Sequence, residues 1–355
     1  MSDRGARLWS GLLAAGAVLL AACGPGAAPA APATAGMATA QPTARPESPV
    51  PATSAPRREA VRIPYAAPSL GSLPLWLTYD GGYFEREGLD VTMDYVASGT
   101  TLAQALLSGD VPLASAGQET ATVSGVQGGD VVVVGVSLER PLFWVSANAS
   151  VRTPEDLHGK RLAVSRFGSA SDTVARYYLP TVGLQPERDV TILQLGGNPE
   201  MVAALETGAT DAAILSPPAV FQARRLGAPP LADLGDLDLQ FYQSALVTTR
   251  RFLSERPEAM RRVARAYAAA WPLLQDENAA LASLQRYTGE TDQELLLETY
   301  RAGLRRFPAS PVPGPKAIQQ GLEQLAVREP AALGFRPEQF IVPEYMAEAV
   351  AAVGR

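Results

Sequence analysis

The sequence runs to 355 residues yet holds one cysteine, Cys23, and one histidine, His158. A single cysteine excludes a disulfide framework and any zinc or iron–sulfur site built on several thiolates. A single histidine excludes a multi-histidine metal centre, and no nucleophile elbow stands beside it to complete a Ser/His/Asp triad. Positive charge is scarce as well. The chain has 30 Lys and Arg against 36 Asp and Glu, a net charge of −6, which argues against a basic face for nucleic acid. The apolar run at 8–22 falls short of the roughly 20 residues that a membrane span needs. These absences point to a protein with no catalytic residue, no metal, no cofactor and no nucleic-acid partner.

What is present begins at the amino end. Arg4 and Arg7 precede the apolar run, which closes in Leu20-Ala21-Ala22-Cys23-Gly24. A short positive region, an apolar stretch and small residues form a secretory signal. The Leu-Ala-Ala-Cys segment resembles a bacterial lipobox, which implies a signal peptide over 1–22 and lipidation of Cys23 as the first mature residue. Residues 23–60 are rich in Pro, Ala and Thr and lack an apolar period. Such a segment cannot bury enough surface to offset its ordering entropy and reads as a disordered tether. Together these features place the protein outside the cytoplasm, held to the membrane by lipid alone.

From Val61 onward strand-like and helix-like patterns alternate. Strands are expected at 61–66, 89–96, 111–115 and 131–136, with helices at 73–83 and 100–108. The succession recurs 99 residues later, with strands at 161–165, 189–195 and 211–215 and helices at 171–179 and 200–206. At that offset Ser72 matches Ser171, Asp90-Val91-Thr92 matches Asp189-Val190-Thr191, and Gly109 matches Gly208. Strand starts, helix faces and helix-ending glycines coincide, which marks a structural repeat. A βαβ succession implies mostly parallel sheets covered by helices, so the expectation is an α/β protein with two lobes of similar plan. Beyond Thr248 the pattern is helical, over 257–274, 279–288, 292–306, 315–326 and 338–353.

Four ordered segments, SLGSLPLWLTYDGGYFEREGLDV (69–91), YVASGTTLAQALLSGDVPLA (95–114), DLHGKRLAVSRFGSASDTVARYYL (156–179) and NPEMVAALETGATDAAILSPP (198–218), resemble the nitrate/sulfonate/taurine-type substrate-binding proteins of ABC importers. The fungal thiamine-pyrimidine synthases belong to the same group. The resemblance implies a type II periplasmic-binding fold with a ligand cleft between the lobes. It places lobe I at 61–143 and 245–355 and lobe II at 144–244, with crossings near 138–148 and 242–250. It implies a monomer that captures a small organic solute, sulfonate- or taurine-like or pyrimidine-like, and hands it to a permease driven by an ATPase. The alternatives are a pyrimidine-precursor enzyme of the fungal type, whose Cys-rich motif this chain lacks, and a sensory lipoprotein.

In an open parallel sheet, ligands gather at the carboxyl ends of strands and beside helix N-termini. The loops there are small and polar. They offer Ser69, Leu70, Ser98, Gly99, Thr100 and Gln118 from the first lobe. The second offers Phe167, Gly168, Ser169, Ser171, Asp172, Asn198 and Ser216, and Tyr242 stands at the return crossing. Hydroxyls and glycine-flanked N–H groups suit an oxyanion or a carbonyl. Glu119 and Asp172 complicate a purely anionic ligand, since a carboxylate in the cleft favours an amine or a ring N–H. Arg166 would pair with such a carboxylate. Of the nearby aromatics Tyr65, Trp76, Phe143, Trp144, Phe167 and Tyr242, Trp76 reads as core because it shares a helix face with Leu73 and Leu77.

Overall fold

Short, largely apolar strands that alternate with helices build two α/β lobes in the computed structural model, which describes residues 58–354. The signal peptide, Cys23 and nearly all of the expected tether lie outside the described residues. Lobe I opens with β1 (Glu59–Arg62), α1 (Leu73–Asp80), α2 (Tyr83–Arg86), β2 (Leu89–Thr92), α3 (Gly99–Ser108), β3 (Leu113–Ala116), α4 (Glu119–Val126) and β4 (Val131–Leu138). The chain then crosses to β5 (Trp144–Ala147), β6 (Arg161–Val164), α5 (Ala170–Thr181), β7 (Thr191–Gln194), α6 (Asn198–Glu206), β8 (Ala212–Leu215), α7 (Ala219–Arg225) and β9 (Pro230–Asp233). It returns as β10 (Ser244–Thr249) and ends in helices α8 (Arg250–Glu255), α9 (Pro257–Ala270), α10 (Glu277–Thr288), α11 (Gln293–Leu304), α12 (Pro315–Ala326) and α13 (Glu344–Val353).

The register bears out the repeat. Arg62 pairs with Thr92 in the parallel β1–β2 ladder, and Arg161 pairs with Thr191 in β6–β7, the same pair moved by 99 positions. Lobe II forms one sheet in the order β7-β6-β8-β5-β9. Lobe I repeats that plan as β1–β2 and β3-β10-β4, and Tyr65 bridges Tyr95 and Ser115 between the two parts. In each lobe the strand arriving from the other lobe is antiparallel: β5 beside β8 and β9, and β10 beside β3 and β4. The crossings are therefore 139–143 and 234–243. The return lies upstream of the expected 242–250 because that stretch is already β10, buried in the lobe I sheet.

Helix ends follow local chemistry. Gly109 and Gly208 take φ of +85° and +71° after α3 and α6, a left-handed turn that side chains with a Cβ disfavour. The helix expected over 73–83 divides at Gly81-Gly82, and the one expected over 338–353 starts only at Glu344, after Pro343. Helix α9 gives way to a 3-10 turn at Trp271–Gln275, where Pro272 removes a donor. Each lobe has its own core, Leu102, Val133, Val247 and Ile318 in lobe I and Val145, Leu162, Ile214 and Phe241 in lobe II. A third cluster runs from Trp76 and Tyr267 through Leu296 and Tyr300 of α11 to Val220 and Phe221 of α7, and so joins both lobes along one side.

Candidate functional site

The carboxyl ends of the strands in both lobes face one another across a cavity of about 70 Å³. The repeat supplies its lining in pairs 99 residues apart: Ala66 and Ser165, Gly71 and Ala170, Ser72 and Ser171, Ser98 and Gly197, Gly99 and Asn198, Ser115 and Ile214, Gly117 and Ser216. Nine of the lining residues are serines (69, 72, 98, 115, 165, 169, 171, 216 and 244), and among the described residues no Lys, Arg or His joins them.

Seven of the residues singled out from the sequence line this cavity: Ser69, Ser98, Gly99, Ser169, Ser171, Asn198 and Ser216. Ser169 is also the N-cap of α5, its Oγ accepting from the Asp172 N–H and bonding Ser171 Oγ at 3.1 Å. Ser165 Oγ donates to Ser169 Oγ at 2.9 Å, so the three hydroxyls form one cluster at the helix start. Asn198 Nδ2 donates to Ser216 Oγ at 2.9 Å and joins two strand ends of lobe II.

The other seven sit elsewhere. Leu70 is fully buried against Gly303, and its N–H donates to the Pro217 carbonyl at 3.3 Å. Thr100 bonds Ser98 Oγ at 2.8 Å and turns its methyl toward Gly168 of the opposite lobe. Gln118 points inward, where Nε2 donates to the Ala317 carbonyl at 2.9 Å and Oε1 accepts from the Tyr242 N–H at 2.9 Å. The Tyr242 hydroxyl is occupied by both backbone groups of Gly314. Phe167 is 43% exposed beneath the Arg176 guanidinium. Gly168, at φ +77°, donates its N–H to Asp172 Oδ2 at 2.8 Å. Asp172 is fully buried and away from the cavity, held by Arg176 of α5 at 2.6 Å and by Arg328 after α12 at 3.3 Å. Arg176 and Arg328, rather than Arg166, are thus its partners, and the Arg328 pair ties lobe I to lobe II. Of the aromatics considered, Phe143 alone reaches the cavity, and Trp76 is buried core stacked on Tyr287 at 4.9 Å.

Glu119, at the start of α4, is the charged residue of the cavity wall. It is 4% exposed, and its Oε2 has no hydrogen-bond partner among the described residues. Gly99 and Gly117 make room for its carboxyl group, which a Cβ at either position would overlap. Burial pushes its pKa up to about 8, against the pull of hydrogen bonds from its own N–H and from that of Ala170 in lobe II. Glu119 also borders a larger cavity of about 250 Å³ between α4, α5 and α12, lined by Gln118, Arg176, Gln324 and Arg328 among others. His158, in contrast, lies exposed on a turn, its Nε2 4.0 Å from Asp189.

Ser72, Ser115, Ser165, Gln243 and Ser244 also line the cavity and are not among the candidate residues drawn from the sequence. The repeat could have identified Ser72 as the partner of Ser171. Gln243 joins the two crossings, since its side chain bonds both backbone groups of Leu142. Among the described residues no helix is long and apolar enough to cross a membrane.

A family model described as NMT1/THI5 like matches residues 71–279, more than half of the chain. No curated protein matches the sequence. Several solved structures share the fold. A protein from Bordetella bronchiseptica RB50 superposes with a TM-score of 0.75 at 20% identity, covering 84% of this chain and 99% of its own. The alkanesulfonate-binding protein SsuA from Xanthomonas axonopodis pv. citri, bound to MOPS, gives a TM-score of 0.66 at 21% identity, covering 83% of this chain and 99% of its own. The periplasmic nitrate-binding protein NrtA from Synechocystis PCC 6803 gives 0.68 at 13% identity, covering 84% and 90%.

Proposed function

The chain belongs to the NMT1/THI5-like family, and on that premise we propose that it is the extracytoplasmic solute-binding component of an ABC importer. It captures a small organic solute, sulfonate- or taurine-like or pyrimidine-like, and presents it to the permease and its ATPase. The observation that carries this reading is the serine-lined cavity formed between the lobes by residues paired 99 positions apart. Beside it the lobes touch through Arg328 and Asp172, and through the Leu70 N–H on the Pro217 carbonyl. These contacts, and the Ala170 N–H on Glu119, must part for a solute to enter. The hinge is assigned to 139–143 and 234–243, the two crossings that Gln243 and Leu142 hold together. Closure follows if the solute binds the closed state better than the open one. The protein acts as a monomer, with Cys23 as its lipid anchor and the Pro-rich segment as its tether.

A thermal-shift screen of sulfonates, taurine, pyrimidines, flavins and polyamines tests the proposal. A solute at about 100 times its Kd adds about 2.7 kcal/mol, roughly 5 °C in a chain of this size. Small-angle scattering on the stabilised complex should show the particle contracting. A melting point unmoved by every class, or dimensions unchanged at saturation, would count against it.

A further inference from the structure

The cavity is provided with acceptors and short of cations. Among the described residues serine hydroxyls dominate its lining, no basic side chain reaches it, and its wall carries one carboxyl group with an unpartnered, buried oxygen. A buried polar atom left unpaired costs about 1–3 kcal/mol, so Glu119 Oε2 is either a defect of the fold or a contact awaiting a partner. Gly99 and Gly117 argue for the second, because both line the cavity beside Glu119 and a Cβ at either would overlap its carboxyl group. A nitrate or sulfonate would meet that carboxyl group with no arginine to offset it. A protonated primary amine offers three donors and no acceptor, which matches a carboxylate set among hydroxyls.

We propose that Glu119 is the specificity-determining residue of the cleft, and that the solute it selects carries a primary ammonium group that takes Glu119 Oε2 as its counter-ion. This deepens the solute-binding reading above and rests on it. The charged groups near Glu119 do not do the same work. Arg176 of α5 and Arg328 after α12 line the larger cavity on its other side and are both engaged on Asp172, and Arg176 also on Glu187. Burial holds the empty site's carboxyl group protonated at neutral pH. As the ammonium enters, the O–H bond of Glu119 breaks, its proton passes to the buffer, and the carboxylate pairs with the cation. Capture therefore releases close to one proton at pH 7.

Isothermal titration with four probes tests this: taurine and ethanolamine, which carry the ammonium, and ethanesulfonate and ethylene glycol, which lack it. At least one ammonium probe is expected to bind about tenfold or more tightly than its counterpart, the size of a charged hydrogen bond. Heats in phosphate and in Tris should differ by the release of nearly one proton. E119Q should lose at least that factor of affinity, and G117A, whose Cβ would crowd Oε2, should lose it too. Circular dichroism establishes that each variant is folded. Ethanesulfonate binding as tightly as taurine, affinity unchanged in a folded E119Q, or no heat from either ammonium probe would overturn the assignment. Binding of ethanesulfonate alone would leave the solute-binding reading standing, whereas silence of all four, with silence across the thermal-shift screen, would remove both.

Discussion

Raising the pH from 6 to 9 should destabilise the empty protein, and one side chain should account for the loss. Glu119 has a native pKa of about 8, against an ordinary glutamate value of about 4.3 in the unfolded chain. The folded state then binds the proton that the unfolded state releases. The associated stability is fully present below the unfolded value and is lost as pH rises through the native one. Each unit is worth about 1.4 kcal/mol, so the full range comes to about 5 kcal/mol and the span from pH 6 to 9 to about 2.7 kcal/mol. In a chain of this size that lowers Tm by roughly 5 °C. The composition makes the measurement clean, since the sequence has one cysteine and one histidine, the side chains whose titration usually crowds this window. Exposed His158 is removed by working in an H158Q background. Thermal melts at half-unit pH intervals should fall steeply for Glu119 and stay nearly level for E119Q, with the variant the more stable at pH 9. A level curve for Glu119, or the same slope in E119Q, would refute the reasoning.

Other consequences are open to measurement. Asp172→Ala leaves the Gly168 N–H and the Arg328 guanidinium without this acceptor and Arg176 with Glu187 alone. It should cost about 3 kcal/mol in urea denaturation. Arg328→Ala removes one contact between the lobes and leaves Asp172 its Arg176 and Gly168 partners; it should cost about 1 kcal/mol yet speed amide exchange at 168–171. Trp76→Ala, which empties a fully buried site, should cost about 3–5 kcal/mol by calorimetry. Ser169→Trp places an indole in a cavity of about 70 Å³; stabilisation by solute should vanish while the far-ultraviolet circular dichroism is kept.

The repeat was legible because it is local. Strand starts and helix-ending glycines recur along the chain, and the β1–β2 and β6–β7 registers repeat them in space. Half of the candidate residues followed from it, since loops at the carboxyl ends of parallel strands converge wherever the sheet is built. The others depended on partners that no periodicity shows. Gln118 follows a strand as expected, but its amide is claimed by Ala317, far along the chain in α12. Asp172 reads as a helix-start acid facing the cleft, and Arg328 draws it aside. Tyr242 stands at a crossing yet is held by Gly314. The helical tail places these partners, and it has no counterpart in the repeat.

The pairing of the lining residues has one more consequence. Two equivalent half-sites would present the same surface to either end of an elongated solute and so would not decide which way round it lies. Glu119 breaks that degeneracy: the position 99 residues further on is Pro218, which has no charge and no N–H to offer. The repeat provides the enclosure, and on the proposal above the one unmatched carboxyl group gives it a head and a tail.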